Sequence, residues 1–463
     1  MEENNSSDSK VRLSPNVVRV DLSKNRSGLY HTVEHKYTWV ANEALDTILH
    51  DGPDQLHIIE LRNRLLKSNF LTSSEFTFDL NANLQRYRKR IESVQDAFFE
   101  IRFVASYVCD EKCSYCLVSE IAKECDNLFD VRWIHKAIEI IEKAIELSYV
   151  PVKGINITLI GGEPLLDINW NINKAFISGI RTHFEKKYPI NVRVITNGNR
   201  VSHYLLKELK QNCISEMYFS YDMRGEGESD TTQPESRLNR EKLIDRINVV
   251  LRANIRVILD LKIGKNTVVS ETNETLVALR NITQNDNRLK ILASNIVSTQ
   301  EYDPLQHKHV GRFSLILLKK EGCLSILVEL MRFFGDAFIG YPDIRKLYAY
   351  RCSVHSRSSL LFYPDGRIVQ CGKLYASKNY KELSGLALYN DTDMKKAGIG
   401  DSQLLDVVTE LCNECVKCNL LEVCGGKCPL AKESPCTNER EEAELYIAMA
   451  MKKRKKKKIM NRF

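Results

Sequence analysis

Cys109-Asp110-Glu111-Lys112-Cys113-Ser114-Tyr115-Cys116 is the run on which the reading of this chain turns. Its spacing, CxxxCxxC, supplies three thiolates. They suffice for three irons of a [4Fe–4S] cluster and leave the fourth iron without a protein ligand, whereas sites built for electron transfer close the cluster with four cysteines. A zinc knuckle or three unrelated thiols are the alternatives, but zinc sites are usually assembled from paired CxxC units. A strand through Ile101 and Phe103 leads into the run. Beyond it, the alternating apolar residues Ile155, Ile157 and Leu159 read as a strand ending in Gly161-Gly162-Glu163-Pro164. Glycines let backbone approach a ligand closely, and the Glu163 carboxylate can accept from an ammonium group. A third strand, Asn191 to Thr196, ends in Thr196-Asn197-Gly198, and a fourth, Ile214 to Tyr221, ends in Ser220-Tyr221-Asp222. Each of these tripeptides alone would pass for a turn.

Together these residues resemble the signature of radical S-adenosylmethionine (SAM) enzymes. The resemblance implies that Cys109, Cys113 and Cys116 hold a [4Fe–4S] cluster whose open iron chelates the amine and carboxylate of SAM, and that one electron cleaves SAM to a 5′-deoxyadenosyl radical. It further implies that Gly161, Gly162, Glu163 and Pro164 bind the methionine amine. Thr196, Asn197, Ser220 and Asp222 would supply ribose and carboxylate contacts, and the backbone of Tyr115 would meet the adenine.

A second dense feature lies far downstream. Cys352 and Cys371 flank Gly366, then Cys415, Cys418, Cys424 and Cys428 follow as CxxCx5Cx3C, and Cys436 closes the set. This pattern resembles the seven-cysteine SPASM extension of peptide-modifying radical SAM enzymes. The resemblance assigns Cys415, Cys418, Cys424 and Cys436 to one auxiliary [4Fe–4S] cluster and Cys352, Cys371 and Cys428 to a second, making three clusters in all. Residues 353–370 contain no cysteine, so the second auxiliary cluster has an open iron, a ligand from substrate, or a substitute such as His355 or Cys412. Taken by itself this segment also suits a zinc ribbon.

The whole chain is consistent with an enzyme of this kind. Its 463 residues, 43% hydrophobic, suffice for two or three domains with real cores. No apolar run is long enough to span a bilayer and no secretory start is present, so a cytoplasmic location without membrane association is expected. Fourteen cysteines in such a protein favour metal or cluster ligation over disulfides, and ten fall in the two motifs. The net charge of +7 is matched by the seven basic residues of Lys452–Lys458, leaving the remainder near neutral. A basic block can bind nucleic acid or anionic membrane, but no recognition helix or aromatic–basic RNA motif accompanies it, and it reads as the solvated end of a helix.

The expected fold class is α/β: a partial (β/α)6 TIM-like barrel with a small N-terminal α+β domain and a C-terminal Cys-rich SPASM domain. Residues 1–10 are expected to be disordered. Residues 11–96, short strands followed by helices, form an N-terminal domain. It matches in outline either the winged-helix domain that grips leader peptides or a segment that only packs on the barrel. Residues 97–300 alternate strand and helix, implying parallel pairing with right-handed crossovers and motifs gathered at the strand C-terminal ends. Residues 301–345 bridge to the SPASM region at 346–440, and 441–463 form a terminal helix with the basic tail. Helical spacing is clear at Ile134, Ile138, Ile141 and Ile145, with Asp130 as the expected N-cap.

The function the resemblance implies is maturation of a ribosomally made precursor peptide carrying a leader. An adenosyl radical would abstract a hydrogen, and an oxidative intramolecular crosslink (C–C, C–S or C–O) would follow, with a reductant such as flavodoxin or ferredoxin as partner. The alternatives are formylglycine formation in a sulfatase, a radical SAM epimerase or dehydrogenase and, in a different class, a non-catalytic metal-binding module.

Overall fold

The computed structural model describes residues 11–51, 55–73, 81–82, 85–86, 89, 97–111, 113, 116, 118, 122, 127–148, 151–223, 240–264, 267–270, 272–295, 315–320, 322–339, 358–369, 386–387, 415, 417–421 and 437–460. The first part is a small α+β unit. Strands β1 (Arg12–Leu13), β2 (Val17–Ser23), β3 (Arg26–His31) and β4 (Lys36–Ala41) precede helices α1 (Asn42–Asp46) and α2 (Leu56–Lys67) and strand β5 (Leu71–Thr72). Strands β2, β3 and β4 form an antiparallel meander, and β5 pairs back onto β1. Val17, Leu29, Val40, Leu45, Ile58, Leu65 and Phe70 close a core between sheet and helices.

From Ala97 the chain alternates as its sequence predicts. Strand β6 (Ala97–Val104) is followed by α3 (Ile134–Glu146), β7 (Val152–Ile160), α4 (Asp167–Phe184), β8 (Ile190–Thr196) and α5 (His203–Gln211). Then come β9 (Ile214–Asp222), α6 (Arg240–Arg252), β10 (Arg256–Ile263), α7 (Glu274–Asn285) and β11 (Leu289–Asn295). The six strands pair in sequence order and in parallel. Side chains alternate across a strand, and here the alternation separates two surfaces. Phe99, Ile101, Phe103, Ile155, Ile157, Val192, Val194, Phe219, Leu259 and Leu261 join Ile141, Phe176, Ile180, Leu209, Ile247 and Leu279 of the helices in one core. Many of the intervening residues are polar and pair with one another: the Asn156 amide donates to Glu100, Arg193 and Arg256 both pair with Glu216, and Lys262 pairs with Asp260. Helices on one face and a polar opposite face are the layering of a barrel wall, whereas a doubly wound sheet carries helices on both faces.

Local signals set the helix starts. Ser202 and Asn273 accept from Leu205 N–H and Leu276 N–H at the first turns of α5 and α7. Asp130 does cap, but it caps a 3-10 turn, Val131–Trp133, from which α3 then continues at Ile134.

Two features of the C-terminal part were not legible in the sequence. Beyond α8 (Leu315–Lys320) and α9 (Leu324–Phe334), strand β12 (Ser359–Phe362) pairs in parallel with β6, placing Ser359 opposite Glu100. Strands β13 (Arg367–Val369) and β14 (Leu386–Ala387) extend that edge antiparallel, giving a nine-stranded sheet. Gly366 occupies the β12–β13 turn with φ +81°, a conformation that favours glycine. Helix α10 (Thr437–Met460) lies against β2, where Ala443, Ile447 and Met451 pack on Val18, Val20 and Tyr30. Gly28 makes room for it, since a Cβ there would sit 2.5 Å from the Met451 methyl carbon. On its other side the buried Glu442 accepts from the backbone N–H of Leu315 at 2.7 Å. No helix among the described residues is long and apolar enough to cross a membrane.

An aromatic group holds helix to sheet beneath the mouth. Phe103 of β6 stacks on Phe176 of α4, with centroids 3.9 Å apart, and Phe129 and Phe362 meet Phe176 edge-on. Phe176→Ala is predicted to cost about 3–5 kcal/mol of stability, the range for opening a large cavity in a packed core. Urea unfolding checks this, and a loss below ~1 kcal/mol would mean that the group is not central to the core.

Candidate functional site

The chain leaves β6 at Val104 and crosses directly over the end of β7. Gly162 N–H donates to Ser106 O at 3.0 Å and Glu163 N–H to Val108 O at 2.9 Å. A Cβ on Gly162 would lie 2.0 Å from Val108 O. On Gly161, where φ is +120°, it would lie 2.7 Å from Ser106 O. The sequence reading gave these glycines to ligand approach, but the backbone they admit is that of the chain's own thiol-bearing loop. Asn169 of α4 locks the crossing. Its amide donates to Val108 O (3.1 Å) and Glu163 O (2.8 Å), and its Oδ1 accepts from the Ser106 hydroxyl (2.5 Å).

The Glu163 side chain is buried at the centre of this arrangement. Oε1 accepts from Leu165 N–H (2.9 Å) and the Thr196 hydroxyl (2.8 Å), and Oε2 from Asn197 N–H (2.9 Å). An ionised carboxylate offers about four acceptor positions, and the three donors found leave one on Oε2. Burial raises the pKa of Glu163 from 4.5 to about 7. The three hydrogen bonds lower it without cancelling the desolvation, and Asp110 nearby adds to the rise.

A latch joins the thiol loop to the turn after β8. Asn197 Nδ2 donates to Asp110 Oδ1 at 2.8 Å, Arg200 Nε to Asp110 Oδ2 at 2.9 Å, and Asn199 Nδ2 to Glu111 Oε1 at 2.6 Å. The thiols stand beside this latch. Cys109 is exposed as a residue and Cys113 and Cys116 half-buried. The atoms crowded around the Cys109 sulfur push its pKa up to about 12, with Glu163 and Asp110 contributing. Burial pushes Cys113 up as well, and Glu111 adds to the effect.

Backbone donors serve the sulfurs in both cysteine motifs. Glu111 N–H points at Cys109 Sγ and Leu420 N–H at Cys418 Sγ, each at 3.4 Å. Both CxxC turns close by the same bond, Cys116 N–H to Cys113 O (3.0 Å) and Cys418 N–H to Cys415 O (3.1 Å). Among the described residues no three His, Cys, Asp or Glu side chains converge as ligands of one metal ion.

Ser220 and Asp222 stand at the C-terminal end of β9, where their register partners are Asp260 and Lys262 of β10. Tyr115, Cys352, Cys371, Cys424, Cys428 and Cys436 lie outside the described residues, as do His355 and Cys412. Cys415 is buried and Cys418 packs beside the β2–α10 core. Sequence reasoning missed Ser106, Asp110, Glu111, Asn169, Asn199 and Arg200. For Asp110, Glu111, Asn199 and Arg200 the signal was available only as polar residues clustered at each motif, CDEKC and TNGNR, and Ser106 and Asn169 carried none.

No protein-family model and no curated protein matches the sequence. Solved structures do. The structure of native anSMEcpe with bound AdoMet and Kp18Cys peptide matches with a TM-score of 0.51 at 15% identity, covering 76% of this chain and 98% of that one. The structure of Streptococcus suis SuiB bound to precursor peptide SuiA aligns over 91% of this chain and 96% of that one at 14% identity, with a TM-score of 0.47. The chain thus has the α/β fold of the AdoMet-bound anSMEcpe structure, in accord with the fold that the radical SAM resemblance implied.

Proposed function

We propose that this chain is a radical SAM maturase of the SPASM type that modifies a ribosomally made peptide. The observation that carries the reading is a convergence. Cys109, Cys113 and Cys116, the Gly161–Pro164 turn and Thr196-Asn197, far apart in sequence, are tied together at one end of a parallel sheet through Glu163 and Asp110. Chemistry at the strand C-terminal ends is the rule for α/β barrels.

The residues fit the implied cofactors. The three cysteines supply thiolates to three irons, and Glu111 N–H donates to the Cys109 sulfur, the kind of hydrogen bond that tunes such centres. Glu163 offers the remaining Oε2 acceptor position to the SAM ammonium, in a buried setting where a charge-assisted bond is strong. Thr196 and Asn197 hold that carboxylate in place. Ser220 and Asp222 lie one strand further along the same end, as ribose or carboxylate contacts would. When bound, the cluster and SAM together supply a 5′-deoxyadenosyl radical that removes a hydrogen atom from substrate. The protein's own work is to position the substrate and keep water out.

The finer reading is an oxidative intramolecular crosslink. A substrate radical that forms a new bond must lose one further electron while the group it bonds to releases a proton to solvent, and auxiliary clusters on Cys352, Cys371, Cys415, Cys418, Cys424, Cys428 and Cys436 would accept the electron. The N–H donor to Cys418 Sγ, matching that to Cys109, supports cluster ligation at this second motif. A leader-bearing precursor and a flavodoxin- or ferredoxin-like reductant complete the proposal.

The test is anaerobic reconstitution with iron and sulfide, followed by SAM and dithionite. Wild-type protein should yield 5′-deoxyadenosine and Cys113→Ala none; product from the variant would end the radical SAM reading. Glu163 adds a pH dependence. Its carboxyl is protonated below about pH 7 and ionised above, and only the ionised form attracts an ammonium. SAM affinity should therefore fall up to about tenfold per pH unit on acidification below ~7, and equilibrium binding between pH 5.5 and 8 would reveal it. A flat profile would remove Glu163 as the ammonium partner.

A further inference from the structure

Two buried asparagines on helix α4 act on the turn that carries Glu163, and only one of them, Asn169, has been given a role above. Asn169 and Asn173 stand one turn apart, so they share a helix face, and each is only 1% exposed. Both turn their amide N–H groups toward successive carbonyls of the same turn: Asn169 Nδ2 donates to Glu163 O at 2.8 Å and Asn173 Nδ2 to Pro164 O at 3.0 Å. Asn169 also reaches Val108 O, immediately before Cys109.

Helix packing does not ask for this. Asparagine is a mediocre helix former, and a buried amide must satisfy all its polar atoms or lose stability. Asn173 does not satisfy them. Its Oδ1 is the one buried side-chain oxygen without a hydrogen-bond partner among the described residues. The neighbouring buried positions on this helix, Trp170, Phe176 and Ile177, are apolar. The fold thus tolerates an orphan acceptor in order to keep a donor on Pro164 O.

We propose that Asn169 and Asn173 are positioning residues that fix the Glu163-Pro164 turn against the thiol loop, and so set the span between the Glu163 carboxylate and the cysteines. This rests on the assignment of that span to the methionine end of SAM. A ligand held at both ends tolerates little error in the separation of its anchors, and in the reaction that follows a misplacement of about 1 Å can cost on the order of a hundredfold in rate.

Asn173→Leu is the informative substitution. It removes one orphan acceptor, Asn173 Oδ1, and strips Pro164 O of this donor, while the number and branching of the side-chain heavy atoms stay the same. The expected result is a melting temperature close to that of wild type and unchanged iron loading, with SAM bound about tenfold or more weakly by the reconstituted protein. Hydrogen exchange, read without SAM, should be faster at the amides of Gly162, Glu163, Leu165 and Leu166 and unchanged elsewhere. Wild-type exchange at that turn in Asn173→Leu would overturn the proposal, whether or not SAM binds. So would wild-type SAM affinity in the variant, or a loss of affinity matched by a general loss of stability. Failure of wild-type protein to bind SAM would instead overturn the functional assignment, leaving the exchange result to decide the positioning role.

Discussion

The mouth of this sheet is organised around one desolvated carboxylate. Burying an unpaired carboxylate is expensive, and the chain meets that cost with donors drawn from separate segments. Leu165 belongs to the turn after β7, and Thr196 and Asn197 to the end of β8. Because Asn197 also holds Asp110, the carboxylate is coupled through one residue to the thiol loop. Loop, turn and strand end are therefore mutually dependent. The desolvation that remains is visible in the raised pKa of Glu163, which leaves the group ready to gain from a cationic partner.

Much of this was legible in the amino-acid sequence, and the limits were physical. The strand–helix alternation from Ile101 onward was readable because its apolar periods are long and uninterrupted. The ends of β7, β8 and β9 were marked by glycine or by clustered polar residues. Hydrogen bonding between segments was not readable. Nothing in the spacing of Asn169 says that its amide meets Val108 and Glu163, because those contacts depend on how α4 lies on the sheet. The glycine pair shows the same limit. Sequence gave the need for close approach and could not say that the approaching backbone was the chain's own. Likewise β12 joins β6 across a long stretch of intervening chain, beyond the reach of local pattern.

The second cysteine motif shares local chemistry with the first. The same turn-closing bond and the same N–H to sulfur donation occur at Cys113-Cys116 and Cys415-Cys418 for the former, and at Cys109 and Cys418 for the latter. Its surroundings differ. Cys418 borders apolar residues of the N-terminal sheet and of α10, and Asn419 donates to Val17 O at the edge of that sheet. The two motifs thus sit against different parts of the molecule, one over the parallel sheet and one beside the antiparallel meander.

The packing of α10 on β2 and β3 has a consequence for biosynthesis. Val18, Val20 and Tyr30 form an apolar sheet face that is covered by Ala443, Ile447 and Met451. The strands emerge from the ribosome early and their cover emerges late. Asn419 and Val17, which meet in this region, are 402 residues apart in sequence. At about 5–20 residues per second of synthesis, that separation corresponds to roughly 20–80 s during which the nascent sheet must keep a hydrophobic face without its own helix. Burial of this face of the meander therefore waits until α10 has been made.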